Sequence, residues 1–385
     1  MPRKKPEIRR RICFVTGTRA EFGLMASTLA AIKADDSLEL QLIVTGMHLD
    51  PRHGQGIRQI ERDGWKINAV VEWPAGDGSA VATAGYTGHA IADMVGAFER
   101  LLSDVVLVVG DRVEAFAAAT AGSLSGRIVA HVHGGDRALG QMDDSLRHAI
   151  TKLAHLHFPA TKQSARRILK LGEDRWRIHR AGSPGIDGIR KAAASRALMQ
   201  QRYGVEAGKF ALLLLHPTDA DAKVELGRAE SLLRALRSEG PAGIVAIAPN
   251  NDAGSSGILR CLEEHSTKIA FHRDLPRADY LGLLRDSAFL IGNSSSGIIE
   301  AASFGTPVID LGDRQKGREH GGNVRHVSFE ARPLARMISA AWRGGRPIKY
   351  AGRNVYGGGT AGKKIARVLA TVALDERLRR KLIAY

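Results

Sequence analysis

Short apolar runs that break at a glycine or a polar cap and give way to a helix recur along this chain, and that alternation admits few folds. In the first half the runs are Arg11–Thr16, Leu38–Thr45, Asp104–Val109 and Arg127–His131. Each has the length of a strand buried in a parallel sheet. Helices are expected between them, to about Ala34 and over Thr83–Leu102, Val113–Leu124 and Ser164–Leu171. Arg180–Asp187 is rich in breakers and marks a crossing between two halves. The alternation then restarts with strands Phe210–Leu215, Gly243–Ala248, Ile269–His272, Ala288–Ile291 and Thr306–Leu311, and helices Val224–Ser238 and Ile298–Phe304. After Gly357-Gly358-Gly359 a last helix is expected from about Ala361 to Leu382, with Ile365, Val368, Leu369, Val372 and Leu382 as its apolar stripe. The class is α/β, with domains at 1–185 and 186–360 and a terminal helical segment at 361–385.

Composition narrows the function classes. With 385 residues, 44% hydrophobic and 25% charged, the chain can bury a large core. Cys13 and Cys261 form neither a metal nor a redox spacing, which fits a reduced, cytoplasmic protein. No run reaches the roughly 20 apolar residues that a membrane helix needs. The net charge of +16 would suit a nucleic-acid binder. The basic residues are dispersed, however, and aromatics are only 5%, too few for a stacking platform. Neither nucleic acid nor membrane is therefore expected as a partner. The basic lead-in Met1–Arg11 lacks a signal-peptide hydrophobic region.

The residues that could carry chemistry cluster where strands end, the edge at which parallel sheets bind ligands. Gly17-Thr18-Arg19-Ala20-Glu21 turns the first strand into a helix with an arginine where a phosphate loop would lie. His48 follows the second strand, and Asp50–Gly64 reads as a loop with a short helix. Gly110-Asp111-Arg112 follows the run ending at Val109, and an acid and an arginine there are costly in a core but cheap beside a ligand. Next comes His131-Val132-His133-Gly134-Gly135-Asp136, then Asp143-Asp144-Ser145 as the cap of a helix carrying Arg147, His148 and Lys152. In the second half His216 stands after a strand, Asn250 after the next, and Asn293-Ser294-Ser295-Ser296-Gly297 turns a strand into a helix with Glu300 in its first turn. Serines and a glycine at a helix start present backbone N–H groups and a dipole to an anion.

Asn293–Gly297 with Glu300, Phe304-Gly305-Thr306-Pro307-Val308-Ile309 and Arg314-Gln315-Lys316-Gly317-Arg318-Glu319 together resemble the hydrolysing UDP-N-acetylglucosamine 2-epimerases, and the likeness runs from about Arg11 to the end of the chain. It implies the glycosyltransferase-B fold, two Rossmann-like domains whose sheets face a central cleft, with the last helix crossing back to the N-terminal domain. It further implies that the C-terminal domain grips a nucleoside diphosphate through Ser294, Ser295 and Gly297, with Glu300 on the ribose, and that Arg19 contacts the nucleotide. Asp111, an acid of the His131–Asp136 segment, and Asp143 or Asp144 would line the sugar pocket, with the 50–64 region covering it. His216 has a functional counterpart in its His-Pro-Thr setting. His133 stands where the sialic-acid-pathway enzymes usually carry a glutamate, while Asp136 keeps an acid. Relatives that take a diacetylated bacillosamine nucleotide, or GDP, vary in this neighbourhood.

The chemistry implied is elimination of the nucleoside diphosphate across C1–C2 to a 2-acetamidoglycal, followed by addition of water. Asp111, His48, His133, Asp136, Asp144 and His216 are the candidate proton carriers or electrostatic catalysts. Arg19, Arg112, Arg147, Asn250, Arg314 and the serine turn are the candidate substrate binders. No cofactor or metal is expected, because arginines and amides can stabilise the diphosphate. A homodimer or homotetramer is the expected assembly. The rivals are a glycosyltransferase of the same fold, which would hand the sugar to an acceptor, and a nucleotide-sugar-binding protein without activity.

Overall fold

The computed structural model describes residues 9–51, 56–73, 79–137, 141–250, 252–343, 348–351 and 353–385, with 141–143 described by their backbone only. The basic lead-in up to residue 8, the stretch 52–55 of the expected covering loop, the Asp143 side chain and Asn251 lie outside that set.

Twelve strands among the described residues are β1 (Arg10–Thr16), β2 (Leu38–Val44), β3 (Ala69–Val70), β4 (Val105–Val109), β5 (Ile128–Val132), β6 (Leu156–Phe158), β7 (Phe210–Leu214), β8 (Gly243–Ile247), β9 (Ala270–His272), β10 (Phe289–Gly292), β11 (Val308–Leu311) and β12 (Val324–Val327). They form two six-stranded parallel sheets, ordered β3-β2-β1-β4-β5-β6 and β12-β11-β10-β7-β8-β9. Read from its other edge, the second sheet repeats the order of the first. Both are therefore doubly wound, with the strand order reversing between β1 and β4 and between β7 and β10, where such sheets bind ligands. The chain divides into one unit of Met1–Asp187 with Tyr356–Tyr385 and another of Gly188–Val355.

In the first unit Ile12, Phe14, Leu42, Leu107 and Phe158 are fully buried. Each such side chain stabilises the fold by about 1.5–3 kcal/mol relative to leaving it in water. The helix Arg19–Lys33 covers this face and starts on a capping box, with the Thr18 hydroxyl accepting from the Glu21 N–H at 3.2 Å. The C-terminal segment packs on it. It is two helices, Ala361–Thr371 and Glu376–Arg379, and not the single helix to Leu382 that the apolar stripe predicts. Asp375 caps the second helix and breaks the run, and Leu382 is 78% exposed. Asp187 takes the first two amides of the Ala361 helix (2.9 and 2.7 Å), and Gly362 leaves no room for a Cβ against the backbone of Ser27.

In the second unit the serine turn differs from expectation. Ser294 caps a five-residue helix, Ser295–Ile299, which gives way to a 3-10 turn at Ala301–Phe304. The Ser294 hydroxyl accepting from the Ser296 N–H starts that helix earlier than Ile298, and Gly305 at φ 66° ends the 3-10 turn. β3, β6 and β12 are short edge or near-edge strands with no long apolar run to announce them. Helices Arg196–Tyr203, Ser255–Glu264, Arg277–Asp286 and Ala331–Ala341 likewise mix charges into their sequence.

Candidate active site

At the β1/β4 switch point lies a cavity of about 510 Å³, lined among others by Thr18, Arg19, Glu21, Met47, Asp111 and Arg112. The β1 and β4 strands end side by side, and the segments after them supply all of these residues but Met47, which follows β2. Arg112 makes a fork to Glu114, with Nε and Nη2 each 3.1 Å from a carboxylate oxygen. Glu114 is itself buried and packs so closely under Gly17 and Gly46 that a Cβ at either would collide with it. Glu21 accepts the Gly17 and Thr18 N–H groups at 2.9 and 3.0 Å. Burial, and then the nearby Glu114 charge, push the Glu21 carboxyl up to about 7.

Asp111 forms an ion pair with Arg147, whose side chain is 4% exposed. Arg147 also reaches Asp144 at 3.2 Å and the Asp136 carbonyl at 2.9 Å. A buried guanidinium is tolerated only with such partners. Asp144 is not a cap, as the sequence suggests: it lies inside the helix Gln141–Leu153 and pairs with Arg147 and His148 one turn on. Asp136 in turn accepts the Ser164 hydroxyl at 2.6 Å and pairs with His133 Nδ1 at 2.8 Å. His133 sits at φ 63°, a left-handed position rare for a residue with a side chain. Its Nε2 lies 3.0 Å from the fully buried Ser183 hydroxyl. Nδ1–H faces the Asp136 carboxylate, which can only accept, and Nε2 shares a hydrogen bond with the Ser183 hydroxyl. Both ring nitrogens of His133 are thus engaged within the protein.

His48, expected as a proton carrier, is instead 1% exposed and outside the cavity lining, where Met47 stands. Thr16 Oγ1 gives its hydrogen to the Thr18 carbonyl, so His48 Nε2 donates to Thr16 at 3.0 Å. Burial pushes this imidazole down to about 4 and leaves it neutral. Its three-residue 3-10 helix, Gly46–His48, turns it into the core.

In the second unit the β7/β10 switch point is held by amide hydrogen bonds. Asn293, fully buried, accepts the His216 N–H at 2.7 Å and donates to the His216 carbonyl at 2.8 Å. His216 Nδ1 accepts the Asn250 N–H at 3.1 Å, which puts the ring proton on Nε2. Burial, with Arg314 nearby, pushes this histidine down to about 4, so it is a neutral donor at pH 7. Arg314 pairs with Asp252 at 3.4 Å. Gly292 has φ 144°, and a Cβ there would strike the Leu214 carbonyl. Gly297 is buried, its would-be Cβ meeting Val308 and Leu290, so its absent side chain lets the short helix lie on β10 and β11. The Ser296 and Gly297 N–H groups bond to Ser294, the first through its hydroxyl and the second through its carbonyl. Glu300 is held by Arg277 and by the Ser296 hydroxyl.

The supporting residues Glu114, Ser164, Ser183 and Arg277 escape sequence reasoning. Glu21 carries a signal, the Thr-x-x-Glu box at a helix start. Ser164, Ser183 and Arg277 have none, because Asp136, His133 and Glu300 lie elsewhere in the chain, and Glu114 pairs with Arg112 only two residues away but in no recognisable pattern.

Comparison of the chain with known proteins shows its family. A family model described as UDP-N-acetylglucosamine 2-epimerase matches residues 30–370. The chain is 34% identical to the UDP-N,N'-diacetylbacillosamine 2-epimerase (hydrolyzing) of Legionella pneumophila, over 98% of this chain and 100% of that one. It is 33% identical to the UDP-N-acetylglucosamine 2-epimerase of Neisseria meningitidis serogroup B, over 94% and 95%. A crystal structure of UDP-GlcNAc 2-epimerase from Neisseria meningitidis bound to UDP-GlcNAc matches with a TM-score of 0.79 at 18% identity, covering 93% of this chain and 99% of that one. At that identity the likeness speaks to fold, which is glycosyltransferase-B-like.

Proposed function

As this chain belongs to the UDP-N-acetylglucosamine 2-epimerase family, we propose that it is a hydrolysing nucleotide-sugar 2-epimerase. Its substrate is a UDP-linked 2-acetamido sugar, either N-acetylglucosamine or the diacetylbacillosamine named for the Legionella relative, and its products are the free 2-epimer and UDP. The observation that carries this reading is the chain of groups Asp111–Arg147–Asp136–His133 beside a cavity that also holds Arg19 and Arg112. It combines what the reaction needs: carboxylates able to take and return a proton, and cations to steady a departing diphosphate.

A carboxylate removes the C2 proton while the C1–O bond breaks, the electron pair leaving on UDP and a C1=C2 double bond forming. Water then adds its oxygen to C1 and gives up one proton to a carboxylate, while a carboxylic acid delivers a proton to C2 from the opposite face. Asp111, anchored by Arg147, and Asp136, anchored by Ser164 and His133, are the carboxylates we assign to proton transfer. Asp144 shares the Arg147 charge and so sets how firmly Asp111 is held. His133 has no free nitrogen and serves by orienting Asp136, while His48 takes no step. Arg19 and Arg112 act on the diphosphate. The second unit binds the nucleotide: Ser294 and Ser295 meet phosphate, Glu300 the ribose, and neutral His216 offers Nε2–H to the anion, with Asn250 and Arg314 supporting it.

Incubation in D₂O with UDP-N-acetylglucosamine, UDP-diacetylbacillosamine and their GDP counterparts tests this. Proton NMR should show free nucleoside diphosphate and a free 2-epimerised sugar carrying deuterium at C2. An epimerised sugar still linked to UDP would make the enzyme non-hydrolysing. UDP release without epimerisation would favour the transferase of the same fold.

A further inference from the structure

Resting on the reading that Glu300 holds the ribose, we propose that Arg277 is a positioning residue: it fixes the Glu300 carboxylate for one ribose hydroxyl and so sets a preference for ribonucleotides. Arg277 opens the helix Arg277–Asp286, far in sequence from the serine turn. Its Nη1 lies 3.2 Å from Glu300 Oε2, and its Nη2 bonds Oε1, a fork that fixes the plane of the carboxylate. The guanidinium also stacks over Tyr280, 5.7 Å from the ring centre and one turn along the same helix.

The direction of each proton follows from counting. A carboxylate has none to give, so the Ser296 hydroxyl donates its single hydrogen to Glu300 Oε2. The Tyr280 hydroxyl bonded to Ser296 must then be the donor. Burial and the Glu300 charge raise the Tyr280 pKa, so it keeps that proton. Glu300 therefore has one acceptor position filled on Oε1 and two on Oε2. Of the roughly four that a carboxylate offers, one remains, on Oε1, for a single incoming hydroxyl. Without Arg277 the terminal torsion of Glu300 is broad and nearly free. Ser296 alone would then tether one oxygen while the other swung.

A surface ion pair would have different consequences. Arg277 is 53% exposed, so its loss should barely change stability. The test is calorimetric binding of UDP, 2'-deoxy-UDP and 3'-deoxy-UDP to the full chain and to Arg277→Ala, Arg277→Lys and Glu300→Gln variants. The unaltered protein should prefer UDP over at least one deoxy analogue by about 10-fold or more, the scale of one hydrogen bond to a charged group. Arg277→Ala should cut that ratio below about 3-fold with an unchanged melting temperature, and Arg277→Lys, charged but unforked, should fall between. If Arg277→Ala keeps the full preference, whatever its overall affinity, the inference is overturned while the nucleotide site stands. A preference that survives Glu300→Gln, or that the unaltered protein lacks, removes Glu300 from the ribose and the inference with it. Absence of UDP binding to the unaltered protein would overturn the functional reading itself.

Discussion

The two units share a strand order and differ in how the same topological point is held together. At the β1/β4 switch formal charges pack against one another: Glu21 beside Glu114, Arg112 on Glu114, and Arg147, from the helix after β5, between Asp111 and Asp144. At the β7/β10 switch the turns are tied by Asn293, by backbone amides and by a histidine held neutral. One fold thus presents two kinds of surroundings at its switch points. Charge packed in a half-buried cavity can move protons and answer charge that develops during a reaction. Fixed dipoles can hold an anion that arrives already charged and stays so.

Breaking the charged side should have the largest effect. Asp111→Asn is expected to lower kcat by about 10²-fold or more, the scale of a lost acid–base group. Its melting temperature should stay within a few degrees, since Asp144 still partners Arg147. Steady-state kinetics with a thermal melt decides this, and near-normal kcat would take Asp111 out of the mechanism.

The dipolar side is tested by placing a charge on it. Ser295→Asp would set a carboxylate against the phosphates and should weaken UDP binding by about 10²-fold, as like charges brought together cost several kcal/mol. Unchanged affinity by calorimetry would move the diphosphate away from this turn.

A smaller effect sharpens the contrast through pH. His216 has a folded pKa pushed down to about 4, so the unfolded chain takes up its proton first as the solution is acidified. Its contribution to stability is complete above the ordinary histidine range and is lost as pH falls toward about 4. A ring NMR titration should show the Nε2–H tautomer persisting to about pH 5, and a midpoint near 6.5 would contradict it. His216→Ala should lower kcat by about 10- to 100-fold through the lost donor, the scale of one hydrogen bond to a charged group.

The smallest effect concerns Glu21, whose pKa shifts the other way. Its folded value is raised to about 7, so its contribution is fully present below the unfolded value near 4.3 and is lost as pH rises through 7. Glu21→Gln removes that dependence. Relative to the unaltered protein, the variant should melt at a temperature that climbs by a few degrees between pH 5 and pH 8, for a difference of order 2 kcal/mol. A flat difference across that range would show that Glu21 does not titrate there.

Much of the scaffold is local and therefore legible. The runs that became β1, β4, β7 and β10 need only hydrophobic continuity, and Thr18, Thr161 and Ser294 cap their helices through contacts within one turn. The positions of Asp111, Arg112 and Arg19 at strand ends follow from the same logic, since a parallel sheet gathers them at one edge. Asp144 and His48 show where it stops. Both follow apolar or breaker-rich sequence in the expected way, yet one is interior to a helix and the other is packed into a core.

By itself, then, the sequence determined that the chain alternates strand and helix twice over, where the strands with continuous apolar runs end, and which turns carry acids, arginines and serines, while β3, β6 and β12 stayed hidden. These depend on interactions spanning a few residues, where chain geometry leaves little choice. Only the tertiary structure decided which charges meet. Arg147 finds Asp111, and Arg277 finds Glu300, 23 residues on. The buried Arg177 gives its hydrogens to the carbonyls of Arg377, Leu378 and Arg380, as far as 203 residues along the chain. The same distinction separates the two histidines after strands: His48 turned inward to Thr16, while His216 was held between Asn293 and Asn250. Burial and partner, not residue type, set what an ionisable group can do, and both are properties of how distant segments pack.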